Sequence, residues 1–165
     1  MAQSGNFRGA AMSVPPERLA RLAEMPAFVA DALARGAGRL DMRPASGGFS
    51  LVEHACHLRD LEREGYLARL KRLLASPGAT LEPFFGDRVA EERNYRSQDA
   101  GRAASDFASA RAELLGIVAT LDAADLSREG TFGGQPITLE AVIAMVLAHD
   151  AEHRAKIARL LAEVA

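Results

Sequence analysis

The sequence predicts an all-α protein built as one four-helix bundle. Three observations carry that expectation. Four long stretches repeat apolar residues at helical spacing. Alanine and leucine, both good helix formers, are plentiful along the chain. Strand signals are confined to one short glycine-rich segment, so little besides helix packed on helix is available to bury the apolar faces. A chain of 165 residues suits one domain. We expect that domain over 15–165, preceded by a Gly-, Ser- and Ala-rich arm over 1–14.

The first helix is expected from about Glu17 to Gly36. Pro15-Pro16 suit its first turn, and Gly36 and Gly38 suit its end. Pro26 lies inside it and is expected to kink or shift it. The second helix has the clearest start. Ser50 with Glu53 three residues on forms a capping box, and the helix should continue to about Ala75, where Ser76-Pro77-Gly78 stop it. Residues 83–98 connect to the next helix, with a short helical turn around Val89 to Asn94. The third helix spans roughly Ala100 to Leu121. Residues 122–135 are polar, and Gly133-Gly134 between Thr131-Phe132 and Pro136-Ile137 suggest a hairpin turn. Thr138 with Glu140 close behind starts the fourth helix, which runs almost to Ala165.

Charge narrows the classes of partner. The formal net charge is −2, and arginines alternate with acids, as in Arg59-Asp60-Leu61-Glu62-Arg63-Glu64. Such a stretch is expected to be a solvated helix face rather than a phosphate-binding patch. We therefore expect no nucleic-acid and no membrane partner. No apolar run is long enough to span a bilayer, and residues 1–14 lack a signal peptide's apolar core. Cys56 is the single cysteine, so no intrachain disulfide can form. Together these fit a cytoplasmic protein.

Histidine placement is the informative feature. At about 100° per residue, Leu139, Val142, Ile143, Val146, Ile157, Leu160, Leu161 and Val164 form one stripe on the fourth helix. His149 and His153 fall on or beside that stripe, one turn apart on the same face. Burying an imidazole nitrogen unpaired costs roughly 1–3 kcal/mol. A divalent metal bound by both rings removes that cost. The bland reading is a pair of core histidines bonded to neighbouring side chains. His149-Asp150-Ala151-Glu152-His153 also fits the H-x-x-E-H protease pattern, but a protease needs a third ligand and a substrate cleft as well. Asp150 and Glu152 are expected to face solvent.

A third ligand must come from elsewhere. His54 and His57 lie near the start of the second helix, three residues apart and on one side of it. Phase does not choose between them, and Leu58 and Leu61 slightly favour His54. Nearby, Glu53 reads as the capping partner, and Asp60 or Glu62 as either a carboxylate orienting a ligand imidazole or an exposed acid paired with Arg59 or Arg63. Cys56 reads as a small core residue. Tyr95 is expected to reach the pocket mouth.

Phe49-Ser50-x-x-Glu53-x-x-x-His57-Leu58-x-Asp60-x-Glu62 resembles the second helix of the DinB/YfiT-like superfamily, and His149-x-x-x-His153-x-x-x-Ile157 resembles its fourth-helix motif. Val89-Ala90-Glu91-Glu92-Arg93-Asn94-Tyr95 is similar to the inter-helix segment of some members. The resemblance runs from about Glu17 to Val164. It implies up-down-down-up topology, which suits the long links on either side of the third helix. It implies the metal ligands His57, His149 and His153, a divalent ion (zinc or nickel foremost) with open positions, and frequent homodimers. Lys156 departs from the glutamine common among members.

An open site on three neutral imidazoles can polarise a carbonyl, activate a water or bind a thiolate. Two functional expectations follow. One is a metal-dependent enzyme, a hydrolase or a thiol S-transferase using a low-molecular-weight thiol on a small electrophilic substrate. The other is a noncatalytic, stress-related metal-binding protein whose ion stabilises the bundle. Fold and ligand set do not choose between them.

Overall fold

The computed structural model describes residues 13–163. Most of the expected arm and Val164 on the fourth-helix stripe lie outside that range, while Val14 is already buried in the core.

Helix α1 spans Pro16–Arg35 and runs unbroken through Pro26. The second long helix comprises α2 (Leu51–Asp60), a π-helical segment (Leu61–Leu67) and α3 (Ala68–Ala75). Its start is the expected capping box. The Ser50 backbone N–H and hydroxyl donate to Glu53 Oε2 at 2.9 and 2.8 Å. Arg43 Nε also donates to that oxygen at 2.9 Å. Burial opposes ionisation of Glu53, but the bonds from Arg43 and Ser50 outweigh it and hold the carboxyl below its ordinary value.

The link that follows holds a two-residue strand β1 (Thr80–Leu81), helix α4 (Gly86–Glu92) and a 3₁₀ turn (Tyr95–Ser97). Helix α5 (Ala100–Val118) begins at Asp99, whose side chain accepts from the Arg102 N–H at 2.7 Å. A short helix α6 (Ala123–Leu126) precedes a hairpin of β2 (Glu129–Phe132) and β3 (Gln135–Thr138). Its turn is Gly133-Gly134, with φ of 59° and 78°, as a two-residue hairpin turn requires. Thr138 Oγ1 then accepts from the Ala141 N–H at 3.1 Å and opens α7 (Leu139–Glu163).

The four long helices form a bundle with up-down-down-up topology. One strand was not anticipated. β1 pairs in parallel with β2, with Thr80 opposite Thr131 and Leu81 opposite Phe132. A strand this short carries no period to read in sequence. The small sheet gathers the C-terminal ends of the second and third long helices with the start of the fourth, which is the geometry of two successive helices running the same way. The opposite end of the bundle holds the start of α2 and the second half of α7, where the histidines converge.

The expected core stripe on α7 is correct. Leu139, Val142, Ile143, Val146, Ile157, Leu160 and Leu161 are all buried. The interior is not purely apolar. Arg111 on α5 is 1% exposed and is met by two carboxylates. Its Nε and Nη2 donate to Glu62 at 2.6 and 3.0 Å, and its Nη1 and Nη2 donate to Asp150 at 2.6 and 3.0 Å. Asp150 is therefore buried and does not face solvent as expected, because a cation distant in sequence compensates it.

Candidate metal centre

Four imidazoles meet between α2 and α7. His57, His149 and His153 each offer one nitrogen, and the three nitrogens lie within 4.8 Å of one another. His57 Nε2 and His149 Nε2 are 3.2 Å apart. Two tetrahedral ligands at zinc–nitrogen lengths of 2.0–2.1 Å would be separated by about 3.3 Å, so that spacing fits a shared divalent ion. The His149 and His153 rings lie 4.2 Å apart between centroids and tilted by 46°, neighbours through their four-residue spacing on α7. His54 stands outside this set. Its Nδ1 lies 2.8 Å from His153 Nδ1, with the two rings nearly perpendicular.

Burial sets the protonation of these rings. It lowers His57 to about 4 and His54 and His149 to about 3, and it lowers His153 further. The neighbouring imidazoles act in the same direction on His54, His149 and His153. All four are neutral near pH 7, the form that binds metal. The donor set therefore fits a divalent ion in atom type, spacing and charge state. His57 Nδ1, the nitrogen turned towards Gly86, is buried without a hydrogen-bond partner among the described residues.

Two aromatic residues and one glycine shape the cluster. Phe49, just before the cap, lies 5.7 Å from the His54 ring and 5.4 Å from the His57 ring. Phe84 approaches His57 at 6.0 Å. Gly86, at the start of α4, abuts the His57 ring so closely that a Cβ there would stand 2.5 Å from His57 Cε1 and 2.7 Å from its Nδ1.

A cavity of about 370 Å³ opens onto the imidazoles. His54, His57, His149 and His153 form part of its wall, with Asp87, Glu152, Lys156 and Arg159 among the charged residues around them. Lys156 Nζ donates to Glu152 one turn back on α7. Sequence reasoning passed over Asp87 and Arg159 as site residues. Asp87 lies in the inter-helix link, where no motif marks it, whereas Arg159 was visible as a residue two turns beyond the histidine pair.

The other candidates have structural roles. Asp60 is buried and accepts from Arg59 at 2.6 Å, Arg93 at 2.8 Å and Tyr95 at 2.7 Å. Glu62 is buried against Arg111. Neither carboxylate bonds to an imidazole. Asp60 does pair with Arg59 as one reading allowed, yet neither acid is exposed. Tyr95 is fully buried with its hydroxyl on Asp60 and does not reach the cavity mouth, because that bond turns it into the bundle. Cys56 is buried in the core, as expected, and burial pushes its thiol up to about 11.

The profile of the DinB superfamily matches residues 16–157. The chain belongs to the DinB superfamily. A similar solved structure is YfiT from Bacillus subtilis, described as a probable metal-dependent hydrolase with an unusual four-helix bundle topology. It superposes with a TM-score of 0.80 at 21% sequence identity, over 92% of this chain and 90% of that one. At that identity the likeness speaks for the shared fold alone. No curated protein matches the chain.

Proposed function

We propose that the protein is a metal-dependent enzyme acting on a small electrophilic substrate, with His57, His149 and His153 as the ligands of one divalent ion. The observation that carries this reading is the cavity of about 370 Å³ that opens directly onto the three imidazoles. Its size is that of a small-molecule site. An ion serving only as a staple needs no such space beside it.

Bound there, a divalent ion would supply a Lewis acid that lowers the pKa of a coordinated water towards about 7 or deprotonates a thiol outright. The chain's own residues do the rest. Three neutral imidazoles leave the ion's charge undiminished. Phe49 and Phe84 hold the His57 ring in place. Asp87 and Glu152 are the carboxylates beside the histidines that can take up a proton, and Lys156 holds Glu152 ionised. Hydrolysis and thiol transfer both suit this arrangement. The description of YfiT as a probable metal-dependent hydrolase supports the first.

The test is turnover. Hydrolysis of an activated ester and conjugation of a small thiol to an electrophilic aryl halide are measured before and after chelation. We expect at least one activity, lost with the metal and lost in His153→Ala. Full activity of the metal-free protein would refute the reading. A large fall in melting temperature on chelation with no turnover under any condition would instead favour the noncatalytic, bundle-stabilising role.

A further inference from the structure

His54 is the histidine that the ligand set leaves unexplained. It is 3% exposed, sits in the first turn of α2, and its Nδ1 lies 2.8 Å from His153 Nδ1. Two imidazole nitrogens at that distance share one proton, so one ring donates and the other accepts. Building on the three-histidine reading, we infer that His54 is a positioning residue, accepting a hydrogen bond from His153 Nδ1–H and so presenting His153 Nε2 to the metal.

The proton's place follows from the chemistry of the ligand. A neutral imidazole that gives one nitrogen's lone pair to a metal carries its hydrogen on the other. His153 Nδ1 faces His54, and its Nε2 makes no hydrogen bond among the described residues. With Nε2 as the ligand atom, Nδ1 must be the donor. His54 Nδ1 is then the acceptor, and the His54 hydrogen resides on Nε2. In many metal sites a carboxylate or a backbone carbonyl accepts this second-shell bond. Among the described residues no hydrogen bond joins a carboxylate to an imidazole: Asp60, Glu62 and Asp150 are committed to arginines, and Glu152 to Lys156.

The same bond keeps His54 off the metal, because its one available lone pair is engaged by His153. It also fixes the His153 ring against a flip that would exchange Nδ1 and Nε2. Phe49, edge-on to His54 at 5.7 Å, supports the ring from the other side.

Nitrogen-15 NMR of the zinc-loaded, histidine-labelled wild type tests the inference without altering the fold. The expected spectrum has His153 protonated on Nδ1, His54 protonated on Nε2, and a scalar coupling between the two Nδ1 atoms across the hydrogen bond. Protonation of His54 on Nδ1 would overturn the inference. Zinc affinity by chelator competition is the second readout. His54→Phe keeps a ring but has no acceptor and should bind zinc about 10–100-fold more weakly, whereas His54→Gln keeps an acceptor oxygen and should recover most of the loss. Wild-type affinity in His54→Phe would refute the positioning role alone. An X-ray absorption count that falls from three imidazoles to two in that variant would make His54 a ligand and refute it too. Failure of the wild type to take up zinc would refute the metal reading itself, and this inference with it.

Discussion

Arg111 Nη1 donates to the backbone oxygen of Leu22 at 2.9 Å. That oxygen is the one Pro26, four residues on and lacking an N–H, cannot engage. The proline frees an acceptor on the buried face of α1, and a guanidinium from α5 fills it. This helps explain why α1 continues through a residue expected to kink or shift it. The same guanidinium spans Glu62 and Asp150, so one side chain ties α1, the π-helical segment and α7 to α5.

Arg111→Leu should therefore be strongly destabilising. It leaves two buried carboxylates and a carbonyl without their donor, and breaking such a network costs about 3–5 kcal/mol. Urea unfolding measures it. Arg111→Lys should recover only part of the loss, because one ammonium cannot meet three acceptors in this fork geometry. A variant within about 1 kcal/mol of wild type would show that the cluster is dispensable.

Gly86→Ala should weaken metal binding. The new methyl would stand 2.5 Å from His57 Cε1, so the ring has to move. We expect a loss of about 10-fold or more in zinc affinity, read by chelator competition. Gly116→Ala is the matching control, since nothing lies within 4 Å of a Cβ built there. It sits in α5, and the exchange should leave affinity unchanged and stabilise the protein by about 0.5–1 kcal/mol.

Acid should destabilise the metal-free protein. His54, His57 and His149 titrate at about 3, 4 and 3 when folded, against about 6.5 when unfolded. Between those values the unfolded chain binds more protons, so stability rises with pH. It is lost as the pH falls below about 6.5, by up to about 1.4 kcal/mol per unit for each ring. Thermal midpoints of metal-free protein should be level above pH 7 and drop steeply from 6.5 towards 4. A midpoint unchanged between pH 7 and 5 would contradict this.

Glu53→Ala should remove the glutamate half of the capping box at α2, leaving the backbone N–H of residue 53 to the Ser50 side chain. The Ser50 N–H, the Ser50 hydroxyl and Arg43 all lose their acceptor. We expect a loss of about 1–2 kcal/mol in thermal or urea unfolding.

Much of this was legible in the sequence, and the exceptions share physical causes. His149 and His153 were readable because α7 is amphipathic, with one apolar stripe that fixes their direction. His57 and His54 could not be separated by phase because every residue from Leu51 to Leu58 is buried, leaving no solvent face to orient the helix. Asp150 and Glu62 resembled surface acids because their shared partner, Arg111, lies 39 and 49 residues away along the chain. Tyr95 was misplaced for the same kind of reason, its hydroxyl being claimed by Asp60 from another element. Gly86 carried no motif at all; its role exists only through its approach to His57.

The central claim is that His57, with His149 and His153, holds one divalent ion while His54 supports the site without ligating it. Metal content at saturating zinc tests it most directly, by elemental analysis of the wild type, His57→Ala and His54→Ala. The account predicts about one equivalent per chain in the wild type, loss in His57→Ala, and retention in His54→Ala. Loss in His54→Ala with retention in His57→Ala would contradict it.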